Sequence, residues 1–443
     1  MHRSEHMLTR LASLWMVWAV VASTSLSPQL LQATAVDNTT YLPLIEGEYL
    51  PQIAFYTKHQ EGTESIRNLS IFNPPYGGLA PIASSCCSDA PAWSGDGRFL
   101  VSQMKLFQAE THKQYPLSQI RSMLWKPGGH QIAYTDIISL TPPIYLFDPD
   151  TGQKQTINVP TRAPYTLSAW SPDGTMIVAF VMSQQMYILY PYATTQARHT
   201  SDQHNISVPD SYTVSVSGAR WAPDSTRFAY RFSMYSPIEE PNAGIIIYPI
   251  DSHQDGWGIS REYGFSVYEW SPNSQFIATG GEKGVCIASA DGQVRILKET
   301  PAVSVLRWSP DGRQVAFTSE QDGRWVIQIM NSDGTAYRVL SSAESTITGP
   351  HNERGAFIWT KDSDAIIYVE QNRLIRLAIT AGAQPQILDP SVNLLVGRDR
   401  SGMILYVQQR ESASVMRRAR ADGSAIVDLF SMADPIIVAR IAP

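Results

Sequence analysis

The 443 residues are 43% apolar and 17% charged with a net charge of −6, enough for a packed interior and without the basic excess a nucleic-acid partner requires. Three cysteines, adjacent at Cys86 and Cys87 and distant at Cys286, exclude a readable disulfide framework. No Pro- or Gly-rich linker divides the chain, so a length that ordinarily suggests two or three domains reads as one repetitive domain.

Residues 1–35 differ in character from the rest of the chain. Arg3 and Arg10 precede an apolar run from Leu11 to Ala22, and small residues including Ala33-Thr34-Ala35 come after it. A charged start, a short apolar core and an A-x-A-like site make a secretory signal peptide, with an uncleaved N-terminal anchor as the alternative. The run is shorter than the ~20 apolar residues of a confident membrane span. The chain is therefore expected to be exported: periplasmic, extracellular or membrane-anchored on the outer side. Asn38, Asn68 and Asn205 head N-x-S/T triplets that matter only in a eukaryotic secretory route.

From residue 41 to 443 one motif recurs. It reads WSGDG at Trp93, WKPGG at Trp125, WSPDG at Trp170, WAPDS at Trp221, WSPNS at Trp270, WSPDG at Trp308 and WTKDS at Trp359. The spacing of roughly 30 to 50 residues is that of a propeller blade of four strands. Pro presets φ for a tight corner, Asp or Asn bonds the neighbouring backbone, and Gly accepts positive φ, so pairs such as Asp173-Gly174 and Asp311-Gly312 reverse the chain. An apolar β-prone run follows each turn, as at Phe99 to Val101, Ile177 to Phe180 and Val315 to Phe317, and reads as a strand buried on both faces. Further on comes a second turn, Asp148-Pro-Asp-Thr-Gly152, Ser289-Ala-Asp-Gly292, Asn331-Ser-Asp-Gly334 or Arg420-Ala-Asp-Gly423, each a hairpin signal. A unit has four strands, and the seven motif tryptophans are read as blade core, filling the wedge between neighbouring sheets.

In this order of elements the chain resembles the PD40 (WD40-like) repeats of TolB-type propellers, also seen in prolyl oligopeptidase-type and tricorn-type propellers. The resemblance covers roughly residues 45 to 441 and implies an all-β fold, a single β-propeller after the signal segment. Eight blades fit best, within a range of seven to nine, because weak units flank the series: Gln52 to Thr57 with Leu69 to Phe72 at the start, and Gly397 to Leu429 at the end. The last apolar run, Pro435 to Ile441, is expected to pair beside Gln52 to Thr57 and close the ring, which removes exposed edges.

Chemistry-bearing motifs are sparse. There is no G-x-S-x-G elbow, H-E-x-x-H, P-loop or EF-hand spacing, so no catalytic residue, metal ligand or cofactor is assigned. Cys286 is expected to be buried, while Cys86 and Cys87 sit in a Ser-rich loop where an oxidising compartment allows a vicinal disulfide. Arg417, Arg418 and Arg420 read as a solvated edge. The long insertions between Tyr192 and Tyr212 and between Met234 and Ala243, with the aromatic stretch at Trp257, supply the candidate partner-binding residues Tyr192, Tyr212, Tyr235 and Trp257. The functional expectation is a non-catalytic exported scaffold for a protein or peptide. The alternatives are a propeller enzyme acting on glycans, with loop-borne acids or a metal near the channel, and an accessory propeller of a separately encoded peptidase.

Overall fold

The strands of this chain are buried on both faces because successive side chains feed two different neighbours. In the strand Ile53–Glu61, Ile53 and Phe55 pack into one apolar cluster while Ala54 and Tyr56 pack into another. A sheet with helices on neither side can do this only by standing between two other sheets.

The computed structural model describes residues 40, 41 and 50–443, except 62–63, 75–77, 84–89, 103–104, 116–119, 138–139, 158, 160–162, 182–184, 193–197, 200–212, 236–241, 251–256, 260–264, 294, 302, 322–323, 343–346 and 349–356. The signal segment, Cys86, Cys87, Asn205 and Tyr212 lie outside the described residues. Residues 41–443 form one compact unit.

Nine antiparallel sheets, each built on four strands that are consecutive in the chain except in blade 1, make up this unit, and the described residues contain no α-helix. Blade 1 is closed by the C-terminal strand: Ile436–Ile441 pairs with Ile53–Glu61, which is followed by Glu64–Asn73 and Gly78–Ala83. The first strands of blades 2 to 7 are Ala92–Trp93, Ile120–Trp125, Tyr165–Trp170, Thr213–Trp221, Phe265–Trp270 and Val303–Trp308. Blade 8 begins with Ile347–Thr348 and Ile358–Trp359, both paired to Ala365–Glu370, and blade 9 with Val392–Arg398. First strands of neighbouring blades pack against one another, so they form the innermost layer.

The core is distributed. Nine apolar clusters occupy the nine blade junctions, including the junction where Phe55 and Phe72 of blade 1 stack on Phe430 of blade 9. The propeller therefore has nine blades where eight fitted best, and the reason is the C-terminal strand. By giving the N-terminal unit its fourth member it leaves Val392–Arg398, Ile404–Gln409, Ser414–Ala419 and Val427–Met432 to complete a ninth sheet of their own. Six of the seven motif indoles are buried, at 6 to 9% exposure. Trp125 is only half-buried; among the described residues the apolar cluster at the junction of blades 2 and 3 is the smallest of the nine.

The basic run near the C-terminus is not a solvated edge. Ser414–Ala419 is an interior strand of blade 9, Arg418 is 2% exposed and ion-paired to Asp399 at 2.8 Å, and Arg417 bridges Asp389 and Asp428. Only Arg420 is exposed. Cys286 is buried against Tyr268 and Trp270, as its strand pattern implies.

Candidate functional site

Because strands alternate direction, the first-to-second and third-to-fourth connections of every blade emerge on one face, and the remaining connections on the other. The Trp-motif and Asp-Gly turns thus share a turn face, while the strand ends at Tyr235 and Asn242 mark the opposite, loop face; the insertions at 200–212 and 236–241 lie outside the described residues. The turn itself is locked by its own side chains. Ser171 Oγ donates to Asp173 and accepts from the Met176 N–H, Asp173 accepts from the Thr175 N–H, and Gly174 takes φ 69°. Ser309, Asp311 and Gly312 repeat the arrangement.

Where the motif ends in Ser rather than Gly, the side chain does additional work. Ser225, Ser274 and Ser363 all hold φ 61°, and their hydroxyls accept the backbone N–H of Asp173, Asp224 and Asp311 in the preceding motif turn of the chain, at 3.0 to 3.1 Å. The left-handed conformation is thereby coupled to a bond between repeats.

The indoles form a second ladder. Each motif Trp donates its Nε1–H to the carbonyl one residue before the corresponding position of the preceding blade: Trp93 to Arg440, Trp125 to Ala92, Trp170 to Leu124, Trp221 to Ala169, Trp270 to Arg220, Trp308 to Glu269 and Trp359 to Arg307. The seven acceptors therefore occupy equivalent places at the turn-face end of the innermost strands. Blades 2, 3 and 4 contribute Ala92, Leu124 and Ala169, whereas blades 5, 6, 7 and 1 contribute Arg220, Glu269, Arg307 and Arg440. Blades 8 and 9 place Ile358 and Gly397 at the same level, so the charged positions of blades 5 to 7 are separated from Arg440 of blade 1 by two uncharged ones, and blades 2 to 4 form an apolar arc.

Each guanidinium is held by a backbone carbonyl of an innermost strand: Arg220 by Tyr268, Arg307 by Leu306 and Arg440 by Ala439. The Arg220 guanidinium also lies over the Tyr268 ring, 5.2 Å from its centre. Glu269 accepts the Trp308 backbone N–H at 2.8 Å. Burial pushes its carboxyl above the ordinary range, and that N–H with the Arg307 and Arg220 charges pulls against the shift without cancelling it. Burial likewise lowers the Arg440 guanidinium. Deeper along the channel the exposed innermost-strand residues include Thr166, Ser217 and Arg121.

The candidate aromatics do not gather. Tyr192, 48% exposed, stands in the third-to-fourth turn of blade 4 with Lys126 Nζ 4.4 Å from its ring centre and its hydroxyl on Gln131. Trp257 begins the fourth strand of blade 5 and covers Gly292, where a Cβ would meet the indole at 2.8 Å. Tyr235, 53% exposed, ends the second strand of blade 5 on the loop face, away from both. Tyr212 is outside the described residues.

Asp148-Pro-Asp150-Thr-Gly152 is a turn whose Asp148 caps the N–H groups of Asp150 and Thr151. It also joins a polar cluster missed in the sequence: His130 Nδ1 lies 2.6 Å from Asp96, and its Nε2 is 3.3 Å from Asp150, which pairs with Arg98. Burial would raise Asp96, but bonds from Ser94, His130 and the Arg98 N–H hold its carboxyl below the usual range. The charged arc was missed too, although its signal is in the sequence: the residue before the motif Trp is Arg, Glu and Arg in three successive repeats.

No protein-family model matches the chain, and no curated protein matches it by sequence. Solved structures do. Porphyromonas gingivalis dipeptidyl peptidase 4 is similar at 13% identity and TM-score 0.54 over 76% of this chain and 59% of that one, so the chain spans about three fifths of the peptidase. A eukaryotic initiation factor is similar at 11% identity and TM-score 0.51, over 89% of this chain and 98% of that one. TolB from Acinetobacter baumannii is 17% identical over 66% of this chain and 79% of that one, at TM-score 0.30. At such identities a likeness speaks to architecture, and the architecture is a β-propeller, in keeping with the TolB-like, WD40-like repeats of the sequence.

Proposed function

We propose that the chain is an exported, non-catalytic scaffold that binds a protein or peptide at the turn-face mouth of its channel. The observation that carries this reading is the composition of the innermost strands. Among the described residues they contribute a single carboxylate, Glu269, set among arginines, hydroxyls and small apolar side chains. Hydrolysis or elimination on a glycan calls for two groups trading a proton across the substrate, typically paired acids with separated pKa values. A polar funnel with one carboxylate engaged by a backbone N–H is suited instead to holding a chain that enters it. The rigid ladder of indole and serine bonds supports this, because a pre-organised frame loses little entropy on binding.

The test uses the full chain against an immobilised random-peptide array and a panel of acidic and neutral polysaccharides. Saturable peptide capture, competed by the same peptide in solution, with unchanged polysaccharides is the expected result. Shortening of a polysaccharide without peptide capture would replace the scaffold reading by the enzymatic one.

A further inference from the structure

The protein as a whole is acidic, at −6, yet the equivalent positions at the channel mouth hold three guanidinium groups against one carboxylate. Arg220, Arg307 and Arg440 make no ion pair within 4 Å among the described residues, and their bonds to backbone carbonyls occupy one nitrogen of each. A guanidinium carries five N–H donors in a planar fork, so each retains donors to offer a carboxylate. The three belong to blades 5, 7 and 1, on different sides of one opening, whereas blades 2 to 4 place Ala92, Leu124 and Ala169, and blades 8 and 9 place Ile358 and Gly397, at the same level. Glu269, between blades 5 and 7, is turned to the Trp308 N–H.

We infer that the channel mouth is a carboxylate-recognition site, in which Arg220, Arg307 and Arg440 bind the acidic side chains of a peptide segment that lies across the apolar arc of blades 2 to 4. This rests on the scaffold reading and names its ligand. Low-dielectric walls and cations of one sign focus the field in the opening, so an acidic segment is drawn there although the net charge of the protein repels it. The apolar arc fits a segment in which acidic and aliphatic residues alternate, and disfavours a compact, fully hydrated anion.

The experiment measures binding of a fluorescein-labelled peptide of alternating Glu and Leu, its Gln-for-Glu counterpart, and unlabelled citrate as competitor, with the full chain at low and at high salt. The Glu peptide is expected to bind at least tenfold tighter than the Gln peptide, to weaken as salt rises, and to lose at least tenfold in affinity in the double variant Arg307→Gln/Arg440→Gln. Arg420→Gln, on an exposed turn of blade 9, is the folded control and should bind as the unaltered chain does. Glu269→Gln, which removes the one opposing charge, should tighten binding severalfold. Circular dichroism and the urea midpoint establish that each variant is folded. Equal affinity for the Glu and Gln peptides, or undiminished binding by the folded double variant, overturns the site. Displacement by citrate at concentrations below the peptide's own overturns the peptide assignment. If the double variant still captures peptides from the random array while losing preference for acidic ones, the scaffold reading stands apart from the site; if neither protein captures any peptide, the scaffold reading itself fails.

Discussion

A serine at φ 61° would ordinarily be a cost, yet Ser225, Ser274 and Ser363 hold that conformation and turn it into a bond to a turn elsewhere in the ring. Two opposing effects can be separated there. Ser225→Ala keeps the left-handed strain and loses the hydroxyl that accepts the Asp173 N–H, so it should cost about 1 kcal/mol. Ser225→Gly loses the same bond but releases strain worth roughly 1–2 kcal/mol, and should leave stability near or above that of the alanine variant. Urea midpoints rank the three proteins, and an alanine variant as stable as the unaltered chain would show that the serine bond contributes nothing.

Glu269 gives a pH signature at the same scale. Burial raises its carboxyl, with the Trp308 N–H, Arg307 and Arg220 opposing, so the folded chain holds this proton to higher pH than the unfolded chain does. The folded state then binds more protons in the window just above the ordinary carboxylate value of 4.5, and stability falls as pH rises through it. The contribution is complete below the unfolded value and lost above the folded one. Glu269→Gln cannot ionise, and its amide oxygen can still accept the Trp308 N–H. Relative to the unaltered chain it should therefore gain stability between pH 4 and pH 7, read as a widening difference in urea midpoints. A difference that narrows or reverses across that interval would contradict the burial of the carboxyl.

Among the elements, blade 9 is built differently from those that repeat the motif. Arg398 stands where the motif blades place Trp, and its buried Nη1 has no hydrogen-bond partner among the described residues. In compensation the next residue of its turn, Asp399, is completely buried and ion-paired to Arg418, which Ser401 also engages. Removing one member strands the other charge, so Asp399→Ala should lose about 3–5 kcal/mol. The double variant Asp399→Ala/Arg418→Met should recover most of that loss, because no charge is left without a partner. Thermal midpoints compare the two, and a double variant less stable than Asp399→Ala alone would mean that the pair stabilises blade 9 in its own right. This blade also marks the limit of what local sequence reveals. Its decayed turn, Gly397-Arg-Asp-Arg-Ser-Gly402, was legible as a weakened repeat, but Arg417 and Arg418 read as solvent-facing because their partners Asp389, Asp399 and Asp428 are supplied by other elements. The turns and doubly buried strands of the regular blades were legible because their chemistry is complete within a few residues.

Across the molecule, the same distinction explains the blade count and the site. Period and turn type gave the propeller, and the apolar run at the C-terminus pointed to its partner at the start of the chain. Whether that partnership completes one blade or merges two weak ones depends on pairing between segments nearly the whole chain apart, which no local pattern encodes. The site was less legible still. Aromatic loop residues drew attention by their exposure, yet Tyr192 and Tyr235 lie on opposite faces, while the three arginines share one level only because ring closure sets Arg440 of blade 1 at the position equivalent to Arg220 of blade 5 and Arg307 of blade 7. Ring closure by the first and last strands is thus what everything else depends on, and amide hydrogen exchange on the full chain measures it directly. The backbone amides of Ile436–Ile441 should be protected like those of the equivalent innermost strand Tyr165–Trp170, and a chain ending at Asp434 should lose protection over Ile53–Glu61 as well. Free exchange of Ile436–Ile441 in the full chain, with Ile53–Glu61 indifferent to its removal, would contradict the closed nine-bladed ring.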